Sequence, residues 1–548
     1  MRRVAGLLLV VAAASGSARA DTYPRQPGVD VLHYTFRLAL ADDSDAIEGE
    51  ATVGFRVLGD GVSEIALDLV QPSPMPGGRG MTVEGVTGDG AALRFDHAQD
   101  RLLIHLARPG TRGELREVVV RYRGVPATGL LVAPNKHGDR TFFSDNWPDK
   151  ARHWLPVVDH PYDKATSEFL VTAPAHYQVV SNGLLVEETD LGDGRRLSRW
   201  RQSVPIAPWL YVLGVARFAV EHRPAWRGLP IETWVYPQDR DQGFEAFAEP
   251  TVAALDFFST RVGPYSYERL ANIQANGVKG GMEAATSILY GDESVSGPPE
   301  RWDSVIVHEI AHQWFGNAVT EGDWDDVWLS EGFATYFTHL FVEYAEGRDA
   351  FVAGLRADRD QIRAFDAKNP GYRIVHDNLS DMKQVTTGAG TYRKGAWTLH
   401  MLRGVIGDEA FWSGIREYYR LYRDRNASTA DFRRVMEETS GRDLGWFFDQ
   451  WLYRGGMLKV KARWSWDAAA RALHLDLEQL QTAEPFRMPI DVAIEVAGEA
   501  ERRTDRIELR ERRQSLRIPL DREPRSVVLD PRDFLLMDAE IAHADAAR

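Results

Sequence analysis

The sequence of 548 residues contains no cysteine. This absence excludes disulfide bonds, and it also excludes a lipid anchor attached to an N-terminal cysteine. Long apolar runs are missing too, because beyond the first twenty residues no stretch is long and apolar enough to predict a transmembrane helix. Since 44% of the residues are hydrophobic, we expect stability to come from several packed cores rather than from crosslinks.

The first twenty residues have the pattern of a secretory signal peptide. Arg2 and Arg3 form a charged start, residues 7–14 are apolar, and Ala18-Arg19-Ala20 matches a cleavage site. Loss of this segment removes three arginines and no acidic residue, so the formal net charge changes from −15 to −18. We expect an exported acidic protein, periplasmic or secreted, that binds neither nucleic acid nor anionic membrane surfaces.

Hydrophobic periodicity divides the rest of the chain into three parts. Residues 21–222 alternate with a period of two, as at Tyr34 and Phe36, and predict an antiparallel β domain. Residues 223–455 have a mainly helical pattern, and alternation returns over residues 456–548, which predicts a small β-sandwich. The expected fold class is therefore multidomain α+β. The clearest predicted helices are 251–261, 302–315, 329–346 and 397–405.

One predicted helix contains a metal-binding pattern. His308 and His312 are four residues apart in His308-Glu309-Ile310-Ala311-His312, so both imidazoles project from one helix face and can bind the same metal ion. Glu309 would lie beside that metal rather than on it, where its carboxylate can take a proton from water. The five-residue pattern also occurs by chance in unrelated proteins, and its helical setting here favours a metal site.

Glu331 is the predicted third ligand. A catalytic zinc takes three protein ligands and keeps a fourth position open for water. Eighteen residues separate His312 from Glu331, a spacing that suits a loop followed by a second, antiparallel helix. The neighbours Trp328 and Phe333 are apolar, and an unpaired carboxylate among them would be costly. The alternative is a solvated glutamate at a helix N-terminus.

Longer segments around these residues resemble a known family. Residues His308–Asn317 and Trp328–Ala334 resemble the aminopeptidase N family of zinc metallopeptidases, the gluzincin aminopeptidases that include leukotriene hydrolase. Gly280–Glu283 matches four of the five positions of the family's G-x-M-E-N exopeptidase signature, and Tyr392–Gly395 matches its Y-x-K-G segment. The resemblance extends over the mature chain in domain order and implies a thermolysin-like, mainly α catalytic domain.

The resemblance implies a role for each matching residue. Glu309 would be the general base, and Tyr392 would donate a hydrogen bond to the oxyanion that develops on the scissile carbonyl. Glu283 would bind the cationic α-amine of the substrate and so set the position of cleavage. The two glycines that precede it in the sequence, Gly280 and Gly281, would let the substrate backbone approach the protein backbone closely. The substrate-binding segment consists of Gly280, Gly281, Met282 and Glu283.

The implied function is a zinc-dependent aminopeptidase. One Zn²⁺ per chain would be bound by His308, His312 and Glu331, with imidazole and carboxylate ligands that suit this metal. The substrates would be peptides with a free N-terminus, cleaved at their first peptide bond. The preferred N-terminal side chain, the oligomeric state and any epoxide hydrolase activity are not determined by these residues.

The sequence departs from the family pattern at three places. Ala284 stands where the exopeptidase signature ends in Asn, so one polar contact near the substrate is expected to be missing. A polar residue that the family's first domain offers to the substrate amine falls near Asp145, which is the candidate replacement. The chain ends at Arg548 after the small β domain, so the large helical C-terminal domain of longer relatives is expected to be absent.

Two other functions stay open on this sequence. A thermolysin-like endopeptidase would share the zinc, Glu309 and the pair of helices, and the segment that ends in Glu283 argues against it. A non-catalytic binding protein on the same fold is the second alternative, and the intact set of catalytic residues argues against that one.

Overall fold

The computed structural model describes residues 21–74, 77–296, 299–376, 380–384, 387–496 and 502–544. The predicted signal peptide, residues 1–20, lies outside the described residues. Among the helices that are described, none is both long and apolar enough to cross a membrane.

Alternating apolar residues fold the N-terminal part into β-sheets. Tyr34, Phe36, Leu38 and Leu40 are all buried, as the period of two predicts. The strands are β1 (Val29–Ala39), β2 (Ile47–Val57), β3 (Val62–Asp68), β4 (Gly80–Gly88), β5 (Ala91–Ala92), β6 (Phe95–Ala98), β7 (Arg101–Gly110), β8 (Leu115–Val125), β9 (Leu130–Pro134), β10 (Arg140–Ser144), β11 (Ala165–Pro174), β12 (Gln178–Ser181), β13 (Leu184–Asp190), β14 (Arg195–Ile206) and β15 (Leu213–Ala216).

These strands form three sheets. The largest has the order β13-β14-β11-β1-β2-β8-β4-β5, and the smaller ones have the orders β12-β15-β10-β9 and β3-β7-β6. Within these three sheets the described pairs are antiparallel except β1 and β11, which run parallel. A long stretch of chain connects β1 to β11, and a parallel pair needs such a long connection. The β-rich N-terminal part is therefore as expected, with one parallel pair that the alternation did not indicate.

A second region combines one sheet with all the long helices that are described. Its sheet has the order β16-β17-β18-β20-β19, so the two-residue strand β19 lies at an edge. The strands are β16 (Ala219–Trp226), β17 (Leu229–Val235), β18 (Leu270–Ala275), β19 (Gly281–Met282) and β20 (Ser287–Gly291), with β21 (Val319–Glu321) and β22 (Arg425–Ala427) as a separate pair. The helices are α1 (Arg240–Arg261), α2 (Pro299–His312), α3 (Trp328–Ala345), α4 (Arg348–Asp366), α5 (Gly395–Ile406), α6 (Asp408–Tyr422), α7 (Thr429–Ser440) and α8 (Gly445–Leu452).

The four predicted helices are all present, and one of them is much longer than expected. Helix α1 begins at Arg240 rather than at the predicted residue 251, so it includes Pro250, a residue type that favours the first turn of a helix. Pro250 instead lies inside the helix, where Phe247 and Leu255 on either side of it are buried. Burial of this apolar face therefore outweighs the local preference of proline for a helix start.

The C-terminal part returns to β structure. Its strands are β23 (Leu458–Asp467), β24 (Ala472–Gln479), β25 (Met488–Val496), β26 (Arg503–Leu509), β27 (Arg513–Pro519), β28 (Pro524–Leu529) and β29 (Met537–His543). They form one sheet in the order β27-β24-β23-β29 and another in the order β26-β25-β28. The alternating residues Leu473, Leu475, Ile490 and Val492 are buried, as the sequence pattern predicts.

Helix α3 lies at the centre of the helical region, in contact with α2, α4 and α5. Gly332 on α3 faces Gly395 at the start of α5, and a Cβ added at Gly332 would lie only 3.0 Å from the Cα of Gly395. Two glycines therefore allow a close approach of the two backbones at this point. A π-helical segment, Gly388–Lys394, leads directly into α5. The close packing of α3 against α5 therefore also brings this segment into contact with α3.

A buried side chain joins the N-terminal sheets to the segment that follows β19. Asn182 donates hydrogen bonds from Nδ2 to the carbonyls of Leu210 at 2.9 Å and Ala285 at 2.7 Å. Its Oδ1 accepts a third hydrogen bond from the Val212 amide at 2.8 Å. Asn182 is 1% exposed, so these groups have no access to water as an alternative partner.

We expect Asn182→Ala to destabilise the protein markedly. The substitution leaves the Ala285 carbonyl and the Val212 amide buried without this partner, which should lower the free energy of unfolding by roughly 2–3 kcal/mol. Denaturant unfolding measures this change. Asn369→Ala is the control, because the exposed side chain of Asn369 donates from Nδ2 to the carbonyl of Phe365 at its own helix end, at 3.0 Å. This substitution should change stability by less than about 0.5 kcal/mol. Equal midpoints for the two variants would contradict this account of the contact.

Candidate active site

Two helices bring three potential metal ligands together. His308 and His312 are one turn apart on α2, and Glu331 lies in the first turn of α3. The two Nε2 atoms are 3.1 Å apart. The Oε2 atom of Glu331 lies 3.6 Å from Nε2 of His308 and 3.3 Å from Nε2 of His312. Three donor atoms therefore converge on one point, with the ligand types that a catalytic zinc uses.

The chain holds the His312 ring in the orientation that this convergence needs. Its Nδ1 lies 3.1 Å from the carbonyl oxygen of Phe315 and 3.1 Å from Oγ of Ser330. An Nδ1–H that donates to the Phe315 carbonyl leaves the lone pair on Nε2, which faces the other two ligands. The turn after α2 and the start of α3 thus both orient the same imidazole.

Unpartnered carboxylate oxygens show that these residues fit a cation. Oε2 of Glu331, Oε2 of Glu309 and Oε1 of Glu283 are buried and have no hydrogen-bond partner among the described residues. Buried charge without a partner is costly, so unpartnered oxygens on residues whose donor atoms lie within 4.8 Å of one another indicate a site for a positive ion. A second group, formed by Glu283, Glu309 and His312, also has donor atoms close enough to share a metal.

The distances favour the first group as the metal site. Oε1 of Glu283 is 3.9 Å from Nε2 of His312, farther than Oε2 of Glu331 at 3.3 Å. The first group also offers two imidazoles and one carboxylate, whereas the second offers two carboxylates and one imidazole. Catalytic zinc sites use sets such as two histidines and one glutamate.

Burial and neighbouring charges set the protonation of the carboxylates. Burial would raise the pKa of Glu331, but His312 and His308 outweigh it and lower this pKa to about 2, so Glu331 is ionised. Burial, together with the charge of Glu283, raises the pKa of Glu309 well above its usual range. Two buried carboxyl groups with opposite pKa shifts are typical of a site that combines a fixed anion with a proton acceptor.

Tyr392 contacts the ligand group from the π-helical segment. Its hydroxyl donates a 2.7 Å hydrogen bond to Oε1 of Glu331. Burial and the Glu331 charge raise the pKa of Tyr392 well above its usual range, so the hydroxyl keeps its proton and acts as a donor. In this structure the hydrogen bond of Tyr392 therefore goes to a metal-ligand candidate.

Glu283 follows strand β19 and is fixed through its backbone. Its carbonyl accepts hydrogen bonds from Nδ2 of Asn317 at 2.6 Å and from Nε2 of Gln313 at 3.1 Å. Its side chain is buried, and burial raises its pKa to about 7. The sequence patterns had indicated no role for Gln313 or Asn317. The available signal was the presence of two uncharged polar residues among the aromatic residues directly after His312.

Gly281 lies where the site leaves no room for a side chain. A Cβ added at Gly281 would lie 2.3 Å from Cγ of Glu309, so any larger residue would collide with that carboxylate. Gly280 has a φ of +76°, a left-handed conformation that favours glycine. Met282 is buried beside them, as is Ala284, the residue that departs from the expected Asn.

A cleft of about 680 Å³ opens onto the ligand group. Its lining includes Glu283, Asp145 and Trp147. Asp145 is thus close to Glu283, although Nζ of Lys150 already pairs with its Oδ2 at 3.0 Å. The full lining is Asp145, Trp147, Gly277, Val278, Lys279, Gly280, Gly281, Met282, Glu283, Ser304, Val305, His308, Glu309, His312, Glu331, Thr335, Thr338, His339, Asp358, Tyr392 and Arg393.

Family models match most of the chain. The model described as the peptidase family M1 domain matches residues 248–451, and the model of the peptidase M1 N-terminal domain matches residues 31–210. The first match contains the three ligand candidates and Tyr392.

Curated relatives carry aminopeptidase names. Glutamyl aminopeptidase from Bos taurus is 32% identical over 328 residues, which are 57% of this chain and 34% of that protein. Aminopeptidase N from Streptomyces lividans is 27% identical over 465 residues, which are 80% of this chain and 52% of that protein. The chain therefore spans between a third and about half of the length of these curated relatives.

Solved structures share the fold. A mutant of an M1 zinc metallopeptidase from Deinococcus radiodurans is 26% identical with a TM-score of 0.66, and the match covers 78% of this chain and 95% of that one. Aminopeptidase A from Legionella pneumophila, solved with aspartic acid, is 17% identical with a TM-score of 0.81. That second match covers 96% of this chain and 61% of the other, and it concerns the fold alone.

We expect one zinc ion per chain, and substitutions can distinguish the two overlapping groups. Glu331→Gln should lose most of the metal on dialysis, since it removes the anionic ligand of the first group. Glu283→Gln and Glu309→Gln, which change only the second group, should keep it. Metal content is measured by plasma mass spectrometry on the purified variants. Loss of zinc from Glu283→Gln together with retention in Glu331→Gln would assign the metal to the second group instead.

Proposed function

Because the chain belongs to the M1 peptidase family, we propose that it is a zinc-dependent aminopeptidase that hydrolyses the first peptide bond of peptides with a free α-amine. The observation that carries this proposal is the buried Glu283 carboxylate, which lines the cleft and lies 3.9 Å from Nε2 of His312. A cationic amine is the natural partner of an unpartnered buried carboxylate oxygen. The distance between that amine and the metal then fixes which bond is cleaved.

The lining of the cleft gives the direction of a bound peptide. From the ligand group, the cleft continues along α2 past His308 to Ser304 and along α3 past Glu331 to His339. Eight residues of helix span about 12 Å, which is the length of about three to four residues of extended peptide. We propose that the amine binds near Glu283 and that the rest of the substrate extends toward His339.

The edge strand β19 suits this placement. Gly281 and Met282 pair with β20 on one side only among the described strands, so the other side can receive an extended peptide. Gly281 also carries no side chain that would separate a substrate backbone from Glu309. The substrate would therefore add as a further strand while its first peptide bond lies over the ligand group.

The chain's own residues account for the proton transfers. His308, His312 and Glu331 would hold the zinc, which would supply Lewis-acid chemistry to the scissile carbonyl and to water. Glu309, whose carboxylate lies beside the ligand group, takes a proton from the attacking water and passes it to the leaving amine. Tyr392 donates a hydrogen bond to the oxyanion of the tetrahedral intermediate once it releases Oε1 of Glu331.

We also propose that residues 1–20 direct export and that the mature chain has three domains. The predicted bounds are 21–222, 223–455 and 456–548, and we move the first boundary to residue 218 because β16 (Ala219–Trp226) pairs with β17 of the second region. The support is the signal-peptide pattern and the change from sheets to helices and back to sheets. An exported protein whose N-terminus is Met1 rather than Asp21 would contradict the cleavage part of this proposal.

Glu283→Gln separates an aminopeptidase from other zinc peptidases. The variant keeps the shape of the side chain but loses the charge that binds the amine, so kcat/KM for free-amine peptides should fall by about two to three orders of magnitude. Steady-state kinetics on one peptide in free and N-acetylated forms measures this. The acetylated form should be a poor substrate for both proteins. Normal cleavage of the free peptide by the variant, or internal cleavage of blocked peptides by the wild type, would favour an endopeptidase.

Tyr392→Phe tests whether the hydroxyl acts on the reaction or only on Glu331. If it stabilises the oxyanion, kcat should fall by about two to three orders of magnitude with a smaller change in KM, because the contact is made mainly in the transition state. Zinc content should stay near one equivalent. Loss of the metal in this variant would show that the 2.7 Å hydrogen bond to Glu331 is its main role. Tyr372→Phe is a control, because Tyr372 lies nearby and bonds Thr391 rather than Glu331.

A further inference from the structure

A second cavity, of about 560 Å³, lies away from the ligand group. It is bordered by the end of α3, the starts of α4 and α6, and the C-terminal strands, so it lies between the helical region and the last β region. Its volume is within the range of about 300–1,000 Å³ that small-molecule sites occupy. The lining is Glu343, Arg348, Arg403, Gly404, Val405, Ile406, Gly407, Asp408, Arg442, Arg506, Arg532 and Phe534.

Arginine dominates this lining, although the protein as a whole is acidic. The five guanidinium groups belong to Arg348, Arg403, Arg442, Arg506 and Arg532. Only two lining residues, Glu343 and Asp408, are acidic. Such a concentration of positive charge in an acidic protein attracts anions to one place on its surface.

The ion pairs of these five arginines do not neutralise all of their positive charge. Arg348 and Arg403 share Glu343, each at 2.8 Å, and Arg403 also pairs with Asp408 at 2.9 Å. Arg506 and Arg532 share Asp491, each at 2.7 Å. Five guanidinium groups thus face three carboxylates.

Arg442 differs from the other four arginines. It donates a 2.8 Å hydrogen bond from Nη1 to the carbonyl of Val405 and makes no ion pair with any described residue. The Val405 carbonyl is uncharged, so it satisfies one N–H group without neutralising the guanidinium. Arg442 therefore contributes a full positive charge to the cavity.

The backbone adds to the positive potential. Arg348 is the first residue of α4, and Gly407 and Asp408 stand at the start of α6. Both helices have a glycine as N-cap, and no side chain caps their first N–H groups. The positive ends of two helix dipoles therefore add to the guanidinium charges at the same cavity.

Phe534 keeps two of the arginines close together. The guanidinium of Arg532 lies 4.9 Å from the centre of its ring and that of Arg348 lies 5.7 Å from it. Contact with the ring face partly offsets the repulsion between the two cations. Gly404 lies under the ring, and a Cβ there would be 2.7 Å from Phe534 Cδ1, so the position of the ring is closely fixed.

We propose that this cavity binds an oxyanion with two or more negative charges, of the phosphate or sulfate class, either free or as the charged part of an organic phosphate. Guanidinium groups bind such oxyanions through paired N–H donors, and the volume exceeds what a single inorganic ion needs. The anion would bridge the helical region, through Arg442 and Arg348, to the last β region, through Arg532. This site is separate from the peptidase site, so the proposal of an anion site does not depend on the proposed peptidase activity.

Calorimetric titration of the full-length, zinc-loaded protein tests the proposal. The probes are inorganic phosphate, sulfate and a sugar bisphosphate, because strongly chelating anions would also remove zinc from the ligand group. Chloride at matched ionic strength controls for general screening. We expect saturable binding of one equivalent of phosphate or sulfate, and binding of the bisphosphate at least tenfold tighter than that of phosphate if an organic phosphate is the ligand. Equal affinities would assign the site to the free ion.

Substitutions of the lining arginines test whether phosphate binds in this cavity. Arg442→Gln and the double variant Arg442→Gln/Arg532→Gln should weaken phosphate binding by at least threefold and tenfold, respectively. Arg513→Gln is the matched control, because Arg513 is exposed, pairs with Glu478 at 2.8 Å and lies outside the cavity lining. Circular dichroism and the thermal unfolding midpoint report that each variant is folded. Unchanged affinity in Arg442→Gln, which disturbs no ion pair, or a chloride response equal to that of phosphate would overturn the proposal.

Discussion

The active-site region depends on one buried carboxylate, Glu331, between two imidazoles and a tyrosine hydroxyl. Its distances of 3.6 Å and 3.3 Å to His308 and His312 require α2 and α3 to lie in a fixed relation. The hydrogen bond from Tyr392 requires the π-helical segment to lie against the same turn of α3. A buried anion with so few partners is tolerated only where a cation completes the arrangement, so the helical packing and the metal site depend on each other.

The N-terminal sheets contribute to the site through their contact with its edge strand. Asn182 fixes the backbone directly after Glu283, while Gln313 and Asn317 fix the Glu283 carbonyl from the end of α2. The proposed amine-binding carboxylate is thus positioned by two regions of the chain at once. This double attachment suits a group that has to stand at a set distance from the metal, because an error of about 1 Å at a catalytic centre can strongly reduce the rate.

Charge is distributed unevenly over the molecule. The cleft gathers the carboxylates Glu283, Glu309 and Glu331, which suit a cationic amine and a metal ion. The arginine-lined cavity between the helical region and the last strands has the opposite character. The two sites would therefore attract ligands of opposite charge even though the net charge of the whole chain is −15.

The sequence by itself determined the fold class, the main helices and the set of candidate ligands, because periodicity and the spacing of His308, His312 and Glu331 are local properties of the chain. Only the tertiary structure decided the rest. The start of α1 ahead of Pro250, the partner of Tyr392, the support from Asn317 and the arginine cavity all depend on contacts between distant segments. Local patterns do not encode such contacts, since they are fixed by which buried surfaces pack together.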